Sequence, residues 1–174
     1  MNNIIEYFGD RLVKPALSEE VLKILPKISL TNQKILLEVG LPERHDGYAG
    51  VYTILDQLSL HKSKYIKLYT RELLEDYFSI FLDVESDRII YHFDYEGSEK
   101  QYLLLNSSLL VFLEFWKAYE IFSEKIDLLG MKEYYGNKKI YSTELRSEFE
   151  KINKDDTNTS WWGSLLEEME SGPL

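Results

Sequence analysis

The sequence contains no cysteine, which excludes disulfide frameworks, thiolate nucleophiles and zinc sites built on cysteine. It also lacks a long uninterrupted apolar run, because its most apolar stretch, residues 108–122, is broken by Glu114, Lys117 and Glu120. Its N-terminal segment carries acidic residues and no apolar run of signal-peptide length. We therefore expect no membrane span or export signal, and the missing cysteines are compatible with a cytoplasmic location.

Positive charge is also scarce: 20 Lys and Arg residues face 30 Asp and Glu residues, for a formal net charge of -10. The excess lies in two segments, 71–100, with nine acids and three bases, and 141–174, with eight and three. Such a field repels nucleic-acid phosphates and anionic lipid and attracts basic partners. The sequence therefore predicts no binding to nucleic acid or membrane. Acids that only keep the surface soluble are the alternative.

The histidines do not form a pattern that carries chemistry. His45, His61 and His92 are far apart in the sequence and lack the short spacings of a metal-binding pair. His92 and Asp94 alternate with Ile90 on one predicted strand, which is more typical of a polar outer sheet face than of an acid–base pair. No metal site or catalytic pair is predicted from these residues.

Two further stretches fail to match known ligand loops. RHDGYAG at 44–50 has a loop's composition but lacks the Lys-Ser/Thr and the strand–glycine–helix context of a phosphate site. DVESD at 83–87 lacks the glycine and terminal glutamate of a calcium loop, and no serine lies in a nucleophile elbow. We predict no catalytic, cofactor-binding or metal-binding residue, and a binding protein rather than an enzyme. A small hydrolase or nucleotide-binding enzyme is the least favoured alternative.

Helix signals occupy the first third of the sequence. One helix should begin at Ser18 and end before the next proline, because proline disfavours helix in the residue that precedes it. A second is predicted over 32–39, with Thr31 as its cap and Leu30 in a hydrophobic staple. Gly40 should end it.

The pattern then changes to one of β-forming residues. Strands are predicted in the stretches 51–55 and 65–69. Three more, at 77–84, 88–93 and 101–105, are separated by short turn-rich segments, which predicts an antiparallel meander.

Helices are predicted again after the strands. A long helix should be capped by Ser107 or Ser108, and a shorter one should begin near Ser142. Between them, 130–139 has the composition of a loop, and 154–160 that of a polar linker.

The sequence ends with a predicted helix at about 160–171, with Ser160 as its cap and a Gly-Pro pair as its stop. Trp161 or Trp162 would share one side of this helix with its apolar residues and close the core. The alternative is an exposed aromatic anchor for a partner.

Three stretches together resemble the SUKH superfamily of bacterial immunity proteins, particularly its fourth group. They are LLEVGLP at 36–42, LLLNSSLLVFLEF at 103–115 and WWGSLLEEMESG at 161–172. In that group a helix ends at Gly-Leu-Pro, a sheet follows, Asn-Ser-Ser-Leu opens the long helix, and a Glu-rich helix with tryptophan closes the domain. The Tyr-rich stretch 131–142 carries no motif of the group.

The resemblance implies one SUKH-like domain over 1–174 with an α+β fold, in which helices flank a mainly antiparallel central sheet. The order of the predicted elements agrees with it. It also implies a non-enzymatic immunity protein that binds and neutralises a cognate toxin effector domain, commonly a nuclease. Members outside toxin immunity keep open an adaptor or regulatory module with the same fold. Either a monomer or a homodimer is compatible with the sequence.

The resemblance fixes no contact positions, so the partner-binding residues are predicted from charge alone. An acidic inhibitor gains association rate toward a basic nuclease by long-range attraction. The predicted steering charges lie in and beside the turns of the meander, and they are Asp83, Glu85, Asp87, Glu96 and Glu99. The alternative for each is a carboxylate that merely faces water.

Overall fold

Helices flank a central run of strands along the chain. The computed structural model describes residues 1–47, 50–74, 77–94 and 101–171. The predictions for Glu96, Glu99, the turn at 96–98 and the Gly-Pro stop therefore lie outside the described residues. The helices are α1 Asn2–Phe8, α2 Glu19–Ile24, α3 Leu30–Lys34, α4 Leu109–Leu129, α5 Met131–Gly136, α6 Lys138–Thr157 and α7 Ser160–Ser171. The strands are β1 Leu12–Val13, β2 Ala16–Leu17, β3 Leu41–Pro42, β4 Arg44–Gly47, β5 Gly50–His61, β6 Tyr65–Arg71, β7 Phe78–Asp83, β8 Ile89–Phe93 and β9 Gln101–Asn106.

Most of the strands form one seven-stranded sheet in the order β2-β5-β6-β7-β8-β9, with β4 also paired to β5. Every pairing in this sheet is antiparallel except that of β2 with β5. The α+β fold with a mainly antiparallel sheet is therefore confirmed, and so is the meander of β7, β8 and β9.

Strand β5 is much longer than the predicted 51–55, because it continues to His61. Its second half is held by β2, where Leu17 lies opposite Leu58 in a parallel pair. Its register toward β6 also shifts after Ile54. Strand β2 has only two residues, which is too short to show the alternation typical of a strand. The sequence pattern therefore did not predict that β5 extends along it.

The hydrophobic core lies between the sheet and the long helices. Trp116 of α4 is fully buried, and its ring centroid lies 5.1 Å from that of Tyr69 on β6 and 5.3 Å from that of Phe112. Phe115 stacks on Phe149 of α6 at 4.5 Å. These aromatic contacts join α4 to the sheet on one side and to α6 on the other.

Two of the predicted serine caps are confirmed. Ser18 and Ser108 each accept a hydrogen bond on Oγ from the backbone N–H three residues further on, at 3.3 Å in both cases. Helix α2 ends at Ile24, and Pro26 lies in the 3₁₀ turn that follows it. The helix thus ends close to its predicted end.

The cap of α3 was predicted wrongly. Ser29, rather than Thr31, accepts the capping hydrogen bond, so the helix begins at Leu30. Leu30 is 81% exposed and forms no staple. The backbone N–H of Ser29 donates to the Asp87 carboxylate at 3.2 Å. This contact, which is distant in sequence, favours the earlier start.

Gly40 ends the helical segment, as predicted. Helix α3 continues as one π-helical turn to Val39, and Gly40 then adopts a φ of 95°. A Cβ at Gly40 would lie 2.6 Å from the carbonyl oxygen of Val13. Only glycine fits this close approach, which places Val13 opposite Leu41 in the pairing of β1 with β3.

Replacing Gly40 by alanine is expected to lower the free energy of unfolding by about 2–4 kcal/mol, because the new methyl group meets backbone at a φ that favours glycine. Urea unfolding monitored by tryptophan fluorescence measures this change. Gly163→Ala in helix α7 is the control. A Cβ at Gly163 would lie no closer than 3.9 Å to any atom outside the backbone of its own helix. We expect that variant to gain up to about 1 kcal/mol. Equal changes in the free energy of unfolding for the two variants would contradict the conclusion that only glycine fits at position 40.

The stretch 130–139, predicted as a loop, is mostly helical. It contains α5 and the start of α6, which begins at Lys138 rather than near Ser142. Tyr134 is buried, and its ring stacks on that of Tyr141 at 6.0 Å. Glycines and an asparagine suggested a loop, but two tyrosines that pack together across the α5–α6 junction stabilise helical turns there.

The stretch 154–160, predicted as a polar linker, is an ordered junction. Helix α6 breaks at Asn153 (φ -159°, ψ 110°) and resumes to Thr157. The Asp156 carboxylate is buried and accepts hydrogen bonds from Ser107 N–H at 2.8 Å, Ser107 Oγ at 2.9 Å and Asn106 Nδ2 at 3.3 Å. The buried Asp156 carboxylate thus connects this stretch to Asn106 and Ser107 at the β9–α4 junction, so the polar composition indicated a linker wrongly.

Helix α7 spans the predicted range, and its two tryptophans differ. Trp162 is 3% exposed and donates its indole N–H to Asn106 Oδ1 at 3.0 Å. Trp161 is half-buried, with its ring centroid 4.2 Å from that of Tyr91 on β8. Trp162 thus closes the core, as predicted, whereas Trp161 keeps part of its ring accessible.

Among the described residues, no helix is both long and apolar enough to cross a membrane.

Candidate functional site

The predicted steering charges in the turn between β7 and β8 mostly serve the fold. Asp83 is 8% exposed. Its carboxylate accepts hydrogen bonds from the Glu85 N–H at 3.0 Å and the Ser86 hydroxyl at 2.9 Å. Lys64 Nζ lies 3.7 Å from it. Asp83 therefore organises the turn rather than facing solvent.

The other two described acids of this set are also engaged. Asp87, at a φ of 59°, accepts a hydrogen bond from Asn32 Nδ2 at 2.8 Å and so ties the turn to α3. Glu85 is exposed but lies 2.8 Å from Lys64 Nζ. Within 83–87, Glu85 is the predicted acid that presents its carboxylate most openly to a partner.

The sheet face opposite the helices differs from its prediction. His92 is buried rather than on a polar surface. Its ring centroid lies 4.5 Å from that of Tyr102, 5.8 Å from that of Phe81 and 6.3 Å from that of His61. Lys62 reaches over this group and donates to the Tyr102 hydroxyl at 2.8 Å. The end of the β5–β6 hairpin therefore curls over β9, and the histidines belong to a small aromatic cluster.

Metal ligation is not supported by this cluster. The described residues hold no group of three or more His, Asp or Glu side chains that could hold a metal ion. The two histidines that the fold brings together both contact the Phe81 ring.

A cleft of about 390 Å³ beside α4 is lined by a charged network. Glu120 accepts hydrogen bonds from Arg11 at 2.9 Å, Tyr7 at 3.1 Å and Trp116 at 2.8 Å. Burial, followed by the negative charge of Glu120, raises the pKa of Tyr7 to about 12. Because Glu120 accepts from all three of these groups, the network fixes α1 to α4, and Glu120 itself has little capacity left to bind a ligand.

Arg71 lies at the end of β6. The charged groups described above are held by hydrogen bonds or ion pairs, whereas Arg71 packs against a glycine and an aromatic ring. A Cβ at Gly50 would lie 2.3 Å from Arg71 Nε, so the guanidinium lies directly over the glycine backbone. The guanidinium carbon lies 4.9 Å from the centroid of the Phe78 ring. Gly50 and Phe78 thus both lie close to a half-buried cation.

No described residue forms an ion pair or hydrogen bond with the Arg71 guanidinium. Tyr52, the residue paired with Arg71 across the strands, donates its hydroxyl to the Tyr91 hydroxyl at 3.1 Å. Burial is the main cause of the raised pKa of both tyrosines, and the positive charge of Arg71 opposes the rise. Both hydroxyls therefore stay protonated at neutral pH and cannot neutralise Arg71.

Apolar side chains surround Arg71 at this end of the sheet. Phe78 and Phe93 form a cross-strand pair and are half-buried, and Trp161 covers the adjacent Tyr91. Leu73, in the turn after β6, is 98% exposed at a φ of 66°. A leucine in this conformation gains nothing from packing, so a functional reason for it is favoured. We call the following residues the Arg71 surface: Arg71, Leu73, Phe78, Phe93 and Trp161.

Sequence reasoning did not find this surface. Arg71 and Leu73 lie at the start of the predicted acidic segment 71–100, but only their charge and hydrophobicity are visible in the sequence. The surface depends on the strand register, in which Arg71 pairs with Tyr52. This register places Gly50, two residues before Tyr52, against the guanidinium. Trp161 was predicted as a possible anchor, and it is the half-buried member of the pair.

No family model matches the chain, and neither a curated protein nor a solved structure matches it. The resemblance of the three sequence stretches to the SUKH superfamily remains a prediction.

Proposed function

We propose that this chain is a cytoplasmic, non-enzymatic immunity protein that binds and neutralises a cognate toxin effector domain, namely a nuclease of basic surface charge. The observation that carries the proposal is the Arg71 surface, in which the guanidinium lies close to Gly50 and Phe78, has no carboxylate partner among the described residues, and is accompanied by an exposed Leu73. Arginine and tryptophan dominate the energetics of protein interfaces, and an apolar surround excludes water from them.

The fold adds support from the residues that carry the family resemblance. Asn106, in the second of the three stretches, accepts the indole hydrogen bond of Trp162, in the third. Residues far apart in the sequence therefore form one buried contact. This is the behaviour expected of motifs that define a fold, and the SUKH assignment is proposed on that basis.

The acidic segment 71–100 gives the proposal its electrostatics. Its nine acids and three bases favour approach of a basic protein and repel free nucleic acid. Among the predicted steering residues, Asp83 and Asp87 are engaged in the fold. We assign the steering role at the described turn to Glu85, while the roles of Glu96 and Glu99 stay predictions.

Leu73→Asn tests the proposed function. Asparagine tolerates a positive φ better than leucine but removes the exposed apolar side chain. We expect the variant to bind the toxin domain encoded by the neighbouring gene roughly thirtyfold more weakly, a loss of about 2 kcal/mol. Its unfolding midpoint should be unchanged or higher. Co-expression scored by growth rescue, followed by calorimetry on the purified complex, measures both effects.

Leu128→Asn is the matched control, because Leu128 is 89% exposed but lies on α4, outside the Arg71 surface. It should bind as tightly as the unmodified protein. A toxin domain that neither co-purifies with the unmodified protein nor loses toxicity would reject immunity and favour an adaptor. A larger loss from Leu128→Asn than from Leu73→Asn would reject the surface.

A further inference from the structure

Arg71 has the geometry of a receptor for one planar anion. The Gly50 backbone and the Phe78 ring both lie close to its guanidinium, and the N–H groups along the guanidinium edge have no acceptor among the described residues. Two parallel hydrogen bonds to a carboxylate match this edge. We infer that Arg71 receives a single carboxylate of the partner protein, an inference that rests on the proposed function.

The burial of Arg71 indicates that the site is completed by a ligand. A half-buried cation loses part of its hydration, and no described carboxylate compensates for that loss. The adjacent Glu72 is already engaged, since its carboxylate accepts from the Thr53 hydroxyl at 3.0 Å and lies 3.7 Å from Arg44. An incoming anion would thus give Arg71 a partner that the described residues do not supply.

The surrounding charge selects a carboxylate over a phosphate. A phosphate carries more negative charge than a carboxylate, and nucleic acid presents many phosphates together. The acidic segment that begins at Arg71 repels such ligands. A lone Asp or Glu adds only one negative charge, and the basic residues beside it on a basic partner are attracted by the acidic segment 71–100.

The apolar members of the Arg71 surface specify what flanks the carboxylate. Leu73 is fully exposed, and the rings of Phe78, Phe93 and Trp161 are partly accessible. Apolar partner side chains on either side of the acid would cover them and exclude water from the ion pair. The ligand is therefore an aspartate or glutamate bordered by apolar residues.

Titration with short capped peptides tests the carboxylate directly. The probes are acetyl-Leu-Asp-Leu-amide, the same peptide with asparagine, and inorganic phosphate, and the signal is the shift of the Leu73 backbone N–H resonance in ¹⁵N NMR, which every variant retains. We expect a saturable shift with the aspartate peptide and affinities about tenfold weaker for the other two probes. Arg71→Lys should lose the response, because an ammonium group cannot form the paired hydrogen bonds.

Arg88→Lys is the control, because Arg88 is an exposed arginine in the next hairpin turn, and this variant should respond like the unmodified protein. Equal responses to aspartate and asparagine, tighter binding of phosphate, no saturable shift, or an unaltered Arg71→Lys variant would each overturn the inference. Loss of toxin neutralisation with intact peptide binding would instead reject the proposed function. The two failures are therefore distinguishable.

Discussion

Replacing Trp162 by alanine is expected to lower the free energy of unfolding by about 3–5 kcal/mol. The indole is almost wholly buried, with ring centroids 5.4 Å from Phe115 and 5.0 Å from Phe149. The substitution leaves a large cavity between α4, α6 and α7. It also removes the donor to Asn106 Oδ1, so that a buried acceptor loses its partner.

Urea unfolding by circular dichroism measures this loss, which corresponds to a fall in melting temperature of roughly 10 °C for a chain of this size. Trp161→Ala is the control from the same helix. Because Trp161 is only half-buried on Tyr91, it should cost about 1–2 kcal/mol. If both variants lost the same stability, Trp162 would not be the residue that closes the core.

Asp156→Ala is expected to cost about 2–4 kcal/mol, the second largest effect. The substitution removes the acceptor of three hydrogen bonds at once, two from Ser107 and one from Asn106. Asp156 is 3% exposed, so water cannot readily take its place. The Asn106 amide, which is fully buried, would lose this acceptor, and the two Ser107 donors would lose theirs.

Denaturant unfolding again measures the effect, with Asp155→Ala as the control. Asp155 is adjacent in sequence but exposed, so its loss should change stability by less than about 0.5 kcal/mol. A similar small effect of Asp156→Ala would mean that the junction does not depend on its carboxylate.

The sequence was informative where local signals decide the structure. Ser18 and Ser108 cap their helices as predicted, and Gly40 ends one. The meander could be predicted because its strands pair with neighbours in the chain. These elements depend on cap chemistry, on φ and on short-range periodicity, all of which are visible in a single sequence.

The predictions from the sequence were wrong where the environment of a residue depends on a contact that is distant in sequence. Asp156 looks like part of a polar linker until Asn106 and Ser107 are placed beside it. His61 and His92 look unrelated until the β5–β6 hairpin curls across the sheet. In each case the prediction used the type of the residue and its neighbours in the sequence. Its environment is instead determined by a partner about 30–50 positions away.

The candidate site was hidden for the same reason. Nothing in the sequence shows that Gly50 leaves room for Arg71, because the contact depends on strand register. The predicted acids were chosen for charge, yet Asp83 and Asp87 use theirs to hold a turn. Charge in a sequence reports what a partner would sense at long range, and not which carboxylates remain available.

The buried hydrogen bonds at Asn106 also set an order of events during synthesis. Asn106 finishes β9, but its amide needs Asp156 and its carbonyl oxygen needs Trp162, which are translated 50 and 56 residues later. Until those residues emerge from the ribosome, the sheet's last strand holds polar atoms that cannot yet be buried. We therefore expect β9 to complete its folding only after the helices that follow it have been synthesised. Until then, water must hydrogen-bond to the polar atoms of Asn106.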